Sequence, residues 1–170
     1  MEEPLVKIHY WLYPVSWIYG IGAYLRNKLF DWGYYQSKSF DVPVVCVGNL
    51  AVGGTGKTPH TEYLIKLLQQ TGANVAMLSR GYKRKSKGYV LATEKTDVKR
   101  IGDEPYQIKT KFPDIRVAVD ENRCHGIEQL MKLDNPKVDV VLLDDAYQHR
   151  HVKAGLNIPV SYTHLTLPTN

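Results

Sequence analysis

The eight residues Ala51-Val-Gly-Gly-Thr-Gly-Lys-Thr58 constrain this chain more than any other stretch. They match the phosphate-binding pattern G-x-x-x-x-G-K-[ST], with Ala51 where the first glycine usually stands, a small residue that still fits the turn. Gly53, Gly54 and Gly56 permit backbone conformations closed to other residues. Backbone N–H groups along Ala51, Val52, Gly53, Gly54, Thr55 and Gly56 can then turn inward on phosphate oxygens, helped by the N-terminus of a following helix. Lys57 would neutralise the β- and γ-phosphates, and the Thr58 hydroxyl would be a ligand for Mg2+. The pattern has this meaning only between a strand and a helix. Residues 43–48 (PVVCVG) read as a buried strand, and a periodic stretch runs from Thr58-Pro59 to about Gln70, with Gly72 as its stop.

The rest of the chain repeats the alternation. Strands are expected at residues 74–79, 115–119 and 138–143, and helices at 103–111 and 122–133. A candidate hairpin lies around residues 88–92, and another strand begins at 156–158. Strands alternating with helices imply an α/β fold with a parallel sheet flanked by helices, of the P-loop NTPase kind.

Asp144 and Asp145 close the apolar run of residues 140–143 (VVLL), the form of a Walker B element. Acids at the C-terminal end of a buried strand face the ligand crevice of an open α/β sheet, where both are candidates for the Mg2+ shell. Asp103, in the sequence Gly-Asp-Glu-Pro, sits where a loop enters a helix, so it reads either as a catalytic acid or as an N-cap. Arg80 opens a basic run, and residues 80–111 hold ten basic and four acidic side chains. That run is a solvated loop or a surface for an anionic partner. Gln148, His149 and Arg150 follow the acid pair within reach of phosphates or substrate. His149 and His151 alone make a poor metal site.

Composition matters at the N-terminus. Eleven of the eighteen aromatic residues fall in residues 1–40, including all three tryptophans. The segment 4–30 is apolar and aromatic but broken by charge and by Pro14, a poor spanning helix and a poor signal peptide. Tyr and Trp favour the headgroup zone, so an interfacial amphipathic helix with Arg26 and Lys28 toward lipid phosphates is expected; packing on the domain's own core is the other reading. The net charge of +5 suits anionic partners, yet no nucleic-acid motif with stacking aromatics is present, and no nucleic acid is expected. Cys46 and Cys124 stand far apart, which excludes a disulfide scaffold or zinc ribbon and fits reduced cytosolic thiols.

Four motifs, VGNLAVGGTGKTP (47–59), LSRGYKR (78–84), GDEP (102–105) and LLDDAYQHR (142–150), together resemble the tetraacyldisaccharide 4′-kinase family over about residues 5–158. The resemblance implies ATP-dependent phosphorylation of the 4′-hydroxyl of a tetraacyldisaccharide 1-phosphate, a lipid A precursor, with ATP and Mg2+ as cofactors. It implies work at the cytoplasmic face of the bacterial inner membrane, peripherally bound through residues 4–30. By motif match, Asp103 helps deprotonate the attacking hydroxyl, Lys57 and Thr58 serve phosphate and Mg2+, and Asp144 and Asp145 take the Walker B roles.

Family members are longer, with a second lobe that supplies a His partner for the GDEP acid. The expected organisation is therefore a membrane-interfacial segment (residues 1–40), an incomplete P-loop core (41–158) and a tail (159–170) without Lys, Arg, Asp or Glu, which reads as foreign sequence or else as a genuine Thr-rich C-terminus. A fragment of this kind would bind nucleotide weakly and turn over little. Two other readings compete: a P-loop GTPase or metal-insertion ATPase acting as a switch, and a non-enzymatic membrane-surface module. A guanine reader often carries NKxD, which does not occur here.

Overall fold

The computed structural model describes residues 13–49, 57–144 and 150–160. The chain divides into two units at Ser37–Lys38. In the first, α1 runs from Tyr13 to Asp31, with Pro14 in its opening turn, where no intrahelical N–H is lost. Tyr13, Trp17, Ile21 and Tyr24 recur at helical spacing and are exposed, as are Ile18 and Leu25. Lys28 lies over the Tyr24 ring at 5.8 Å and Arg26 over Phe30 at 5.9 Å. Among the described residues no helix is long and apolar enough to cross a membrane.

The second unit is a six-stranded sheet. Its strands are β1 (Val44–Asn49), β2 (Val75–Ser79), β3 (Val90–Leu91), β4 (Arg116–Val119), β5 (Val140–Asp144) and β6 (Leu156–Val160), in the order β3-β4-β2-β5-β1-β6. All neighbours are parallel except β3 and β4. The helices are α2 (Lys57–Gln70), α3 (Val98–Ile101), α4 (Asp103–Lys111) and α5 (Arg123–Met131).

The alternation of side chains along each strand sorts the core into two layers. Ala76, Leu78, Ala118, Val141 and Leu143 pack with Ile127 and Leu130 of α5. Val75, Met77, Val117, Val119, Val140 and Leu142 pack with Ile65 of α2 and with Ile108 and Phe112. The mostly parallel sheet between helices is the architecture the strand–helix alternation implies.

The structure changes three details. No hairpin forms around residues 88–92: Val90 and Leu91 instead pair antiparallel with Val119 and Ala118 at the edge of β4. Helix α3 was not foreseen; four residues carry no periodicity, and Asp97 caps them by accepting from the Arg100 amide at 3.1 Å. β6 continues past Ile158 through Pro159 and Val160, paired with Gly48 and Asn49. Proline is tolerated there because β6 is an edge strand.

Candidate active site

Because β1, β2, β4, β5 and β6 run parallel, their C-terminal ends share one edge of the sheet. β1 and β5 are neighbours, with Val47 the register partner of Asp144. The chain that leaves β1 at Asn49 to reach α2 therefore departs beside the last residue of β5. Lys57 and Thr58, both half-buried, are the first two residues of α2. No acidic residue occupies that first turn, so the positive end of the helix dipole meets no local carboxylate. Ala51, Val52, Gly53, Gly54, Thr55 and Gly56 lie outside the described residues, as do Asp145, Gln148 and His149. Asp144 is 5% exposed.

A second group gathers at the end of β4. Asp120, 2% exposed, accepts from the Asn122 amide at 2.9 Å and pairs with His125 Nδ1 at 2.6 Å. Asn122 caps α5 by accepting from the His125 amide. The buried Arg123 guanidinium donates from Nη1 to the Asp120 carbonyl oxygen at 3.0 Å and from Nη2 to the Asp144 carbonyl oxygen at 2.9 Å. A cavity of about 500 Å³ beside this group is lined by Glu121, Asn122, Arg123, Cys124 and His151. Arg150 stands exposed in the turn that precedes His151.

Two of the motifs interlock. Gly102, at φ +91°, lies so near the turn after β2 that a Cβ there would sit 2.8 Å from the Tyr82 carbonyl oxygen and 3.3 Å from the Gly81 carbonyl carbon. Gly102 occupies the cap position of α4 without a side chain, and Asp103 is the first helical residue. The N-cap reading of Asp103 is therefore not the one the structure adopts, and its carboxylate is exposed. Arg80, also exposed, directly follows β2.

Arg84 anchors this loop from inside. Its side chain is 3% exposed and pairs with Glu121 at 2.7 Å. It also donates to the Gly88 carbonyl at 2.8 Å and the Val119 carbonyl at 3.4 Å. Burial works against a charged Glu121, but its own backbone N–H, Arg84 and the Gly88 amide outweigh it and hold the carboxyl below the usual range. Sequence reasoning missed Arg84, Asp120 and Arg123. Arg84 is one of five cations in eight residues, with no mark of its burial. Asp120 and Arg123 carried a usable signal, a charged run immediately after an apolar strand.

Comparison with known proteins agrees with this arrangement. The family model described as LpxK, tetraacyldisaccharide-1-P 4'-kinase, matches residues 8–165. A tetraacyldisaccharide 4'-kinase from Bacteroides fragilis is 68% identical over 164 residues, covering 96% of this chain and 43% of the relative. One from Flavobacterium johnsoniae is 58% identical over 147 residues, 86% of this chain and 43% of the relative. The crystal structure of an "apo" form LpxK from Aquifex aeolicus in complex with ATP superposes with a TM-score of 0.78 at 42% identity, covering 87% of this chain and 47% of that one. The chain thus spans less than half the length of these relatives. With a family model matched over residues 8–165, this chain belongs to the tetraacyldisaccharide-1-P 4'-kinase family.

Proposed function

We propose that the chain is the nucleotide-binding part of an ATP-dependent kinase that phosphorylates the 4′-hydroxyl of a tetraacyldisaccharide 1-phosphate in lipid A assembly. The observation that carries the reading is the pairing of Val47 with Asp144, which starts the phosphate loop and ends the acid-bearing strand at neighbouring positions. ATP would lie along residues 51–58, its phosphates facing the N-terminus of α2 and the Lys57 ammonium. The donors fit Mg2+: a threonine hydroxyl and one or two carboxylates, with the nucleotide's own phosphates completing a hard, oxygen-only shell. Thr58, Asp144 and Asp145 would hold it, and it would supply charge neutralisation between the β- and γ-phosphates.

Asp103, the exposed first residue of α4 and not its cap, would accept the proton of the 4′-hydroxyl as its oxygen attacks the γ-phosphorus and ADP leaves. Arg80, Gln148, His149 and Arg150 would meet substrate or product phosphate. The exposed aromatic stripe of α1, with Arg26 and Lys28, would rest on the anionic surface of the inner membrane's cytoplasmic face, where the acylated substrate resides.

Calorimetry with Mg·ATP and Mg·GTP tests the nucleotide reading: ATP binding that disappears in Lys57→Ala is expected, and preferential GTP binding would overturn it. Flotation with anionic vesicles tests the membrane reading. Equal flotation with and without residues 4–30 would overturn that part alone.

A further inference from the structure

We infer that Arg123 is the positioning residue for the metal-side acid that ends β5: its forked guanidinium fixes the main chain of Asp144 and so where that carboxylate is presented. The inference rests on the nucleotide-site reading above and deepens it.

Arg123 opens α5, is 3% exposed, and bonds two carbonyl oxygens, those of Asp120 and Asp144. Asp120 immediately follows β4, and Asp144 ends β5. These two strands are not neighbours, since β2 lies between them. The guanidinium therefore reaches over the end of β2, which is tied to the same point by the Asp120 amide donating to the Ser79 carbonyl at 3.0 Å. Three strand ends are held together by one side chain and one backbone bond.

A buried guanidinium is desolvated and persists only where its donors are used. If the task were to fill space between α5 and the sheet, an aliphatic side chain would do so without that desolvation. A planar fork does something an aliphatic side chain cannot. Its donors leave in fixed directions, so two acceptors bound at once are held at a set separation. The acceptor on the β5 side is the last carbonyl of the strand, one residue past its last register pair with β2, where only β1 still lies alongside. A ligating carboxylate misplaced by a fraction of an ångström binds Mg2+ poorly, because that ion demands near-ideal geometry.

The test is ATP affinity measured by calorimetry with excess Mg2+ and again in EDTA, on the wild-type chain, Arg123→Met, Arg123→Lys and Asp144→Asn, each with a thermal melt. The ratio of the two affinities isolates the metal contribution, and a merely structural role would not move it. Wild type is expected to bind at least tenfold tighter with Mg2+, and Asp144→Asn to lose that increment. Arg123→Met is expected to lose most of it while binding ATP in EDTA as wild type does. Arg123→Lys, which keeps charge and bulk but supplies one carbonyl bond, is expected to fall between, and it carries the test should Arg123→Met not fold. A full increment in folded Arg123→Lys or Arg123→Met, with Asp144→Asn defective, overturns the role of Arg123. An unchanged increment in Asp144→Asn, or none in wild type, removes the magnesium reading itself and the inference with it.

Discussion

Gly102 packs against Gly81 and Tyr82 backbone to backbone, so the GDEP turn and the turn that follows β2 form one rigid corner beneath Asp103. A side chain at position 102 meets two obstacles, a φ of +91° and a carbonyl oxygen 2.8 Å from its Cβ. Gly72, at φ +80° with nothing within 4 Å, meets only the first. Gly72→Ala should therefore cost about 1–2 kcal/mol, and Gly102→Ala distinctly more, about 3 kcal/mol. Urea denaturation of the two variants compares them directly. Equal losses would mean the corner yields easily and does not set the position of Asp103.

Asp103 is exposed and Lys57 only half-buried, so both alanine variants should keep stability within about 0.5 kcal/mol of wild type. Their effects on the reaction should separate. In the intact, longer protein, Lys57→Ala should weaken nucleotide binding and slow turnover by about a hundredfold or more. Asp103→Ala should leave nucleotide binding unchanged and lower kcat. Calorimetry beside steady-state kinetics distinguishes the two, and unchanged kinetics in both would remove the site assignment.

Glu121 gives the loop over residues 84–88 a pH dependence. Its carboxyl sits below the usual range in the folded chain, held by its own backbone N–H, by Arg84 and by the Gly88 amide against the effect of burial. A depressed carboxyl contributes stability fully present above its unfolded pKa and lost as pH falls through the folded value. Hydrogen exchange at the Gly88 amide, which donates to Glu121 Oε2 at 2.9 Å, should gain an opening component as pH drops below the ordinary carboxylate range. Glu121→Gln should remove that component. Its persistence in the variant would assign the opening to another group.

What could be read from the residues alone follows the range of the forces involved. The strands at 44–49, 75–79, 116–119 and 140–144 announced themselves because burial on both faces demands continuous apolar runs. Lys57, Thr58 and Asp144 stood out as candidates because a phosphate loop and its acid strand have local signatures. The partner of β3 was not, since two residues pair with whatever edge the tertiary fold offers. Nor was the role of Arg84: Lys83, Arg84 and Lys85 are equivalent as letters, and only the path of the chain turns the middle one inward onto Val119, Gly88 and Glu121. Arg123 reaches a carbonyl 21 residues away along the chain, a distance over which sequence pattern carries no geometric information.

Gly126 decides how closely α5 sits on the sheet. A Cβ there would stand 2.7 and 2.8 Å from the two terminal carbons of Leu78 and 3.1 Å from the Cβ of Asp120. Leu78 is fully buried in the middle of the sheet, so its methyls turn aside only against packed neighbours, and Gly126→Ala is expected to lift the helix. Overpacking of this kind should cost about 1–3 kcal/mol, against which the better helix propensity of alanine returns about 1 kcal/mol. Lifting α5 also carries the first residue of that helix away from the strand ends it bonds. Gly126→Ala should accordingly lose part of the Mg2+-dependent increment in ATP affinity, although Asp144 is not among the atoms nearest position 126. Gly20→Ala, in α1 with nothing within 4 Å, supplies the control and should leave the increment intact. An unaltered increment in Gly126→Ala would show that the exit of β5 is held without the seating of α5.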